Sequence, residues 1–305
     1  MLRVRLGSAL AALLISSSLN AQSTPPPVDE SVVVEGQRVE AETMVRETIS
    51  GAGVTPLARF EDKVCPGVVG LAQEQAERLL QMIRRNVTAL GGKVDKAGCT
   101  ANATVIFTEQ PVEFVRKLAI KQPAYFDFSP AGIKQFTAQP RPVVSWHVEE
   151  FRDRDGNELG NSRELGMAKQ RLMDQPAAAG APMNARMLRN VAATRLYTSS
   201  RADMLFGFAV IDSGKIQGKT MEQLADVATL HLLLDIKPDA ASNPASILSL
   251  FDDRAEGGGV PQGLSAYDRA MIEALYRPND NNRTPSTQFS QIASAVRKAG
   301  NGQGK

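Results

Sequence analysis

Two cysteines behind an N-terminus built for export constrain this chain more than any other feature. It opens Met1-Leu2-Arg3-Val4-Arg5, two cations and no acid. A short apolar stretch over 9–16 follows, and Ala21 then precedes Gln22-Ser23. That order is the one the secretory machinery reads, so residues 1–21 are expected to be a cleavable signal peptide and the rest of the chain periplasmic or secreted. A buried N-terminal helix is the alternative. The apolar run is far shorter than the roughly 20 residues a membrane span needs, and no later stretch reaches that length, so no transmembrane segment is expected. In an oxidising compartment an even cysteine count favours a bridge, here Cys65–Cys99. On the chain-entropy argument it would stabilise the fold by roughly 3–4 kcal/mol. Two buried free thiols or a metal site are the alternatives. The two Cys and two His of the chain show none of the close ligand spacing that zinc uses, so no metal or cofactor is expected.

Charge removes one class of function. Lys and Arg number 35 against 33 Asp and Glu, and the first 21 residues hold two of the cations and no acid. The exported part is therefore neutral, unlike the basic excess of a nucleic-acid binder. A hydrophobic content of 43% is enough for a substantial core. One stretch departs from neutrality. Residues 160–201 carry Arg163, Lys169, Arg171, Arg186, Arg189, Arg195 and Arg201 against Glu164 and Asp174. Such a run is a solvated face, or a surface for an unknown protein or anionic partner.

The hydrophobic periodicity predicts a helix over about 72–90, with Leu79, Leu80, Ile83, Val87 and Leu90 near one face and Gly91-Gly92 as its stop. Thr104–Phe107 reads as a strand, Pro111 and Ser129-Pro130 open helices, and 143–151, Ala193–Ser199 and Met204–Asp212 read as strands. Thr220 and Gln223 form a capping box ahead of an apolar helix carrying His231. Asn243-Pro244 opens a short helix, and Ser265 with Asp268 caps the last firm one. Residues 31–36 read as a short strand, 38–49 as weakly helical, and 287–298 as a short helix. Irregular mixing of helix and strand points to α+β: a mixed sheet packed with several helices, with one disulfide. The expected organisation is a signal peptide over 1–21, a linker with a short helix or strand over 22–56, and a globular region over 57–278. Two subdomains meeting near 151–192 would also fit, and 279–305 reads as a flexible tail.

The stretch Leu57-Ala58-Arg59-Phe60-Glu61-Asp62-Lys63-Val64-Cys65-Pro66-Gly67-Val68-Val69-Gly70-Leu71 resembles the opening of an uncharacterised family of exported bacterial proteins. The run Ala266–Tyr276 is similar to that family's final helix. This resemblance implies no activity. The layout of strand, helix and later Asp-Arg helix is also similar, more distantly, to zincin-like peptidases. Their His-Glu-x-x-His motif is absent, because Val227 and Ala228 stand where the first His and the Glu would be.

Other candidate sites are incomplete. Ser213–Thr220 is one residue short of a phosphate loop. Asp153-Arg154-Asp155-Gly156-Asn157 has its Gly at the wrong place for a calcium loop and reads as a turn. Alternation places Ser145, His147 and Glu149 on one strand face, with Trp146 opposite as a core anchor. His231 and His147 are the weak site candidates, His231 as a packed histidine and His147 as an exposed or interface one. The chain is expected to be a non-catalytic periplasmic binding or interaction protein, with a degenerate peptidase-like hydrolase as the alternative.

Overall fold

The computed structural model describes residues 30–157, 198, 200–240, 246–252, 261–278 and 283–302. Among these residues the α+β expectation holds, with seven α-helices packed on a four-stranded mixed sheet. The chain enters through α1 (Glu30–Thr48) and builds a strand–helix–strand unit from β1 (Pro66–Val69), α2 (Gln73–Ala89) and β2 (Ala103–Thr108). Helices α3 (Pro111–Lys121) and α4 (Pro130–Phe136) lead into β3 (Val143–Asp153). Strand β4 (Ser200–Asp212) is followed by α5 (Met221–Leu233), α6 (Ala266–Leu275) and α7 (Pro285–Gly302). The sheet order is β1-β2-β4-β3. Pairings β1–β2 and β2–β4 are parallel, and β3 runs antiparallel to β4.

The period-two pattern of the strands divides the core in two. Val105, Phe107, Ala209 and Ile211 join the larger cluster, shared with α1, α2, α5, α6 and α7. Ile106, Trp146, Phe208 and Val210 point the other way, toward α3 and α4. On that second face Trp146 stacks between Phe126 and Phe208, with ring centroids 4.8 and 4.7 Å away. Its indole Nε1–H donates to the Tyr125 carbonyl at 2.8 Å, so Trp146 is the expected anchor with its polar atom satisfied.

Local sequence accounts for most boundaries. Helix α2 buries Leu79, Ile83 and Val87, and the amides of Leu90 and Gly92 close it by returning to the Asn86 and Val87 carbonyls. Both capping boxes form, Thr220–Gln223 on α5 and Ser265–Asp268 on α6. Asp268 reaches further, accepting from Ser246 Oγ at 2.6 Å and the Ile247 amide at 2.9 Å. It thereby pins the 3-10 turn Ile247–Phe251, which stands where a short helix was expected after Asn243-Pro244.

The disulfide joins Cys65 to Cys99 with Cα atoms 6.0 Å apart, just ahead of β1 and of β2. The Asn102 carboxamide adds a polar clasp, accepting from the Cys65 amide at 2.7 Å and donating to the Lys63 carbonyl at 3.1 Å. Gly70 ends the Cys-Pro-Gly-Val stretch at φ +90°, where a Cβ would lie 2.2 Å from the Phe107 carbonyl oxygen. Only glycine fits there.

Several elements differ from expectation. Residues 31–36 belong to α1 rather than to a strand. The linker and tail boundaries also move, because Val45 and Ile49 at one end and Phe289, Ile292 and Val296 at the other are fully or nearly fully buried in the larger core. Helix α7 lays those last residues on α1 and α6 at a spacing that makes one apolar stripe. Strands β3 and β4 flank 154–199 yet are hydrogen-bonded neighbours, so one sheet spans the region where two subdomains were the alternative. Strand β1 was not expected as a strand. The expected signal peptide, most of the strand expected over Ala193–Ser199 and nearly all of the basic 160–201 stretch lie outside the described residues.

Replacing Cys65 and Cys99 together by alanine is expected to cost about 3–4 kcal/mol of folding free energy. Urea titration of the oxidised protein against the variant at one pH checks this.

Candidate functional site

Helix α5 buries every residue from Gln223 to Leu233 except Asp226, so it ends inside the protein. The last carbonyls of any helix lack partners within it, and burial makes leaving them unpaired costly. Here Leu230 accepts from the Leu234 amide at 3.0 Å. Leu232 accepts from His147 Nε2 at 2.9 Å, and Leu233 from the Tyr276 hydroxyl at 3.4 Å. A carbonyl only accepts, so His147 carries its proton on Nε2. Burial pushes the Tyr276 phenol well above its ordinary range, which keeps the hydroxyl protonated and able to donate. Gly207 lies across from His147 in the strand register. A Cβ there would sit 3.2 Å from the imidazole and 3.3 Å from the Leu232 carbonyl, so the missing side chain makes room for this cap.

His147 is thus buried rather than exposed, and its neighbour on the same strand face does not pair with it. Ser145 instead meets His231 on α5, with Oγ 2.8 Å from Nδ1, 86 residues away in sequence. His231 is a packed histidine as expected, but its partner is a side chain. Burial lowers its pKa to about 3, with smaller electrostatic contributions from His147 and Arg141 beside it, so the imidazole is neutral at ordinary pH.

This pair lines a cleft of about 160 Å³ between the start of β3, the end of α5 and the Ile247–Phe251 turn. Arg141, Lys237 and Asp252 supply its charges, and Ile236, Leu248 and Phe251 part of its apolar wall. Arg141 is anchored by a 2.6 Å bond from Nη2 to the Phe136 carbonyl, with its guanidinium 4.8 Å from the centre of the Phe136 ring. Burial lowers the Arg141 pKa and Asp239 works against that shift.

The Ser145–His231 geometry is the first element of a nucleophile, but the rest does not follow. An efficient general base has a pKa near the working pH, and His231 lies far below it. His231 also sits in the last turn of α5, where carbonyl dipoles oppose a developing oxyanion. The pair is suited to presenting neutral hydrogen-bonding atoms to whatever occupies the cleft.

A second buried polar group holds the sheet's other end. Asp203 is gripped by Arg201 at 2.8 Å and approached by Arg152 at 3.6 Å. Burial raises its pKa and the Arg201 hydrogen bond pulls it back. Arg59 donates from Nη1 to the Leu275 and Arg277 carbonyls at 2.6 and 2.8 Å and is held by Glu61 at 2.5 Å. These residues were not singled out as a site from the sequence. For Arg152, Arg201 and Asp203 the signal there was charge at the ends of otherwise apolar strands.

The remaining motifs resolve into turns. Asp153 accepts from the Asp155 and Asn157 amides at 2.9 and 2.8 Å, and these bonds together with the Asn157 side chain lower its pKa. In the loop that falls short of a phosphate loop, Asp212 caps a 3-10 turn and the Thr220 hydroxyl serves α5. Among the described residues no group of three or more His, Cys, Asp or Glu side chains could hold a metal ion. No protein-family model, curated protein or solved structure matches the chain.

Because His231 is held neutral when folded and titrates near 6.5 when unfolded, its contribution to stability is complete above pH 6.5 and is lost as pH falls toward 3. Within that window it adds a slope of about 1.4 kcal/mol per pH unit. Denaturation series across the window should show this slope in the parent and a slope shallower by one proton in His231→Gln, whatever that variant loses at neutral pH.

Proposed function

We propose that this chain is an exported, non-catalytic binding protein, periplasmic or secreted, that takes a small molecule in the Ser145–His231 cleft. One observation carries the reading. A buried neutral Ser–His pair lines a cleft with apolar walls and a few charged groups, the composition typical of small-molecule sites. Export is supported by the order of residues 1–21 and by the Cys65–Cys99 bridge, a cross-link kept mainly in oxidising compartments. Among the described residues no helix is long and apolar enough to cross a membrane. A second, macromolecular partner for the basic 160–201 stretch belongs to the same proposal.

The hydrolase reading has one observation in its favour, the 2.8 Å contact between Ser145 and His231. Against it stand the weak basicity of His231 and the helix end beside it. A fluorophosphonate probe decides between the two. The binding reading expects Ser145 to remain unlabelled at neutral pH. Labelling that disappears in Ser145→Ala would replace it with a serine hydrolase. Export has its own test, since the N-terminal residue of the purified protein should be Gln22. Protein that still begins at Met1 and stays in the cytoplasm would overturn that part.

A further inference from the structure

We infer that the cleft, read above as a binding site, takes a zwitterionic α-amino acid with a short aliphatic side chain. This rests on that reading and adds the chemistry of the ligand.

Size sets the first limit. A cavity near 150 Å³ holds a benzene ring, so the cleft's 160 Å³ has room for roughly six to eight non-hydrogen atoms. Drug-sized ligands need about twice that space or more. Alanine and valine fall inside the limit.

Charge balance sets the second. Arg141 and Lys237 bring two cations to the lining, Asp252 brings one carboxylate, and Asp239 offsets part of the Arg141 charge. The lining therefore holds both signs, two cations against one carboxylate, with Asp239 outside it tempering the excess. A lone carboxylate would leave Asp252 facing it unmatched, and a lone amine would leave the two cations unmatched. A zwitterion answers both, its carboxylate toward Arg141 and Lys237 and its ammonium toward Asp252. Arg141 commits Nη2 to the Phe136 carbonyl and keeps other N–H groups for a ligand.

Hydrogen bonding agrees. When the Ser145 hydroxyl donates to Nδ1 of His231, the imidazole proton sits on Nε2 and makes that nitrogen a donor. A neutral donor strengthens a carboxylate site without the cost of burying another charge. Val227, Ile236, Leu248 and Phe251 then offer apolar contact to a short side chain.

The test uses the intact oxidised protein with three probes, L-valine, isovalerate and isobutylamine. The latter two lack the ammonium and the carboxylate respectively. Calorimetric titration at neutral pH should show saturable binding of L-valine, with both analogues at least tenfold weaker. Lys237→Gln and Asp252→Asn, both partly exposed positions, should each weaken L-valine at least tenfold, and Asp252→Asn should erase the preference over isovalerate. Isovalerate binding as tightly as L-valine in the parent would overturn the zwitterion assignment, and so would the absence of L-valine binding. Native mass spectrometry of the protein taken from its own compartment separates the two levels. A different small-molecule adduct that disappears in Lys237→Gln would sink the amino-acid assignment and keep the binding reading. Fluorophosphonate labelling of Ser145 would sink the binding reading itself.

Discussion

Helix α5 terminates inside the protein, and the satisfaction of its last carbonyls governs how the other layers assemble. His147 comes from the sheet, and Tyr276 comes from the end of α6. Each ties a different layer to the same helix end. An unpaired buried carbonyl costs about 1–3 kcal/mol, comparable to a sizeable share of a domain's net stability. The apolar face of α5 brings it into the core, and the two caps determine where along its axis it stops. The cleft sits at that stop because Ser145 lies two residues before His147 on the same strand face, and His231 one residue before Leu232 on the helix.

The end of α6 is handled differently. There a guanidinium supplies the donors, with Arg59 bonding the Leu275 and Arg277 carbonyls. A cation at a helix C-terminus also meets favourable dipole charge. The backbone of Arg59 meanwhile pairs with β4, through bonds to the Ala202 carbonyl and from the Met204 amide. One residue thus closes a helix and extends the sheet. Glu61 beside it and Asp203 below hold the surrounding charges in balance.

Elements stabilised by local physics were legible in the sequence. Helix α2, both capping boxes, the helix starts at Pro111 and Pro130, and the strand patterns around 104–107, 143–151 and 204–212 rest on periodicity and on bonds within a few residues. Strand β1 was hidden because four residues opening Pro-Gly carry almost no strand signal, and its pairing with β2 is what makes it a strand. Helix α7 was foreshadowed only in part, since its stripe of Phe289, Ile292, Ala293 and Val296 is diluted by Ser, Asn and Gly. At the site, alternation put Ser145 and His147 on one face, and the lone His among leucines marked His231. Their partners were not legible, because which buried polar group meets which is decided by packing between elements 86 residues apart. The signal available was weaker but real: a histidine among the leucines of an apolar helix requires a partner once it is buried.

The bridge from Cys65 to Cys99 bears on how the chain reaches this fold. Parallel strands are slow to pair because their ends are far apart along the chain, and the loop between them must close before any contact rewards it. The cysteines lie 34 residues apart, one just before each of the first two parallel strands. Once oxidised, they hold the starts of β1 and β2 together, and the crossover through α2 becomes a closed ring rather than an open search. Closing the bridge thus shortens the search for the sheet's most demanding pairing. A chain kept reduced would have to find the same parallel register by diffusion alone.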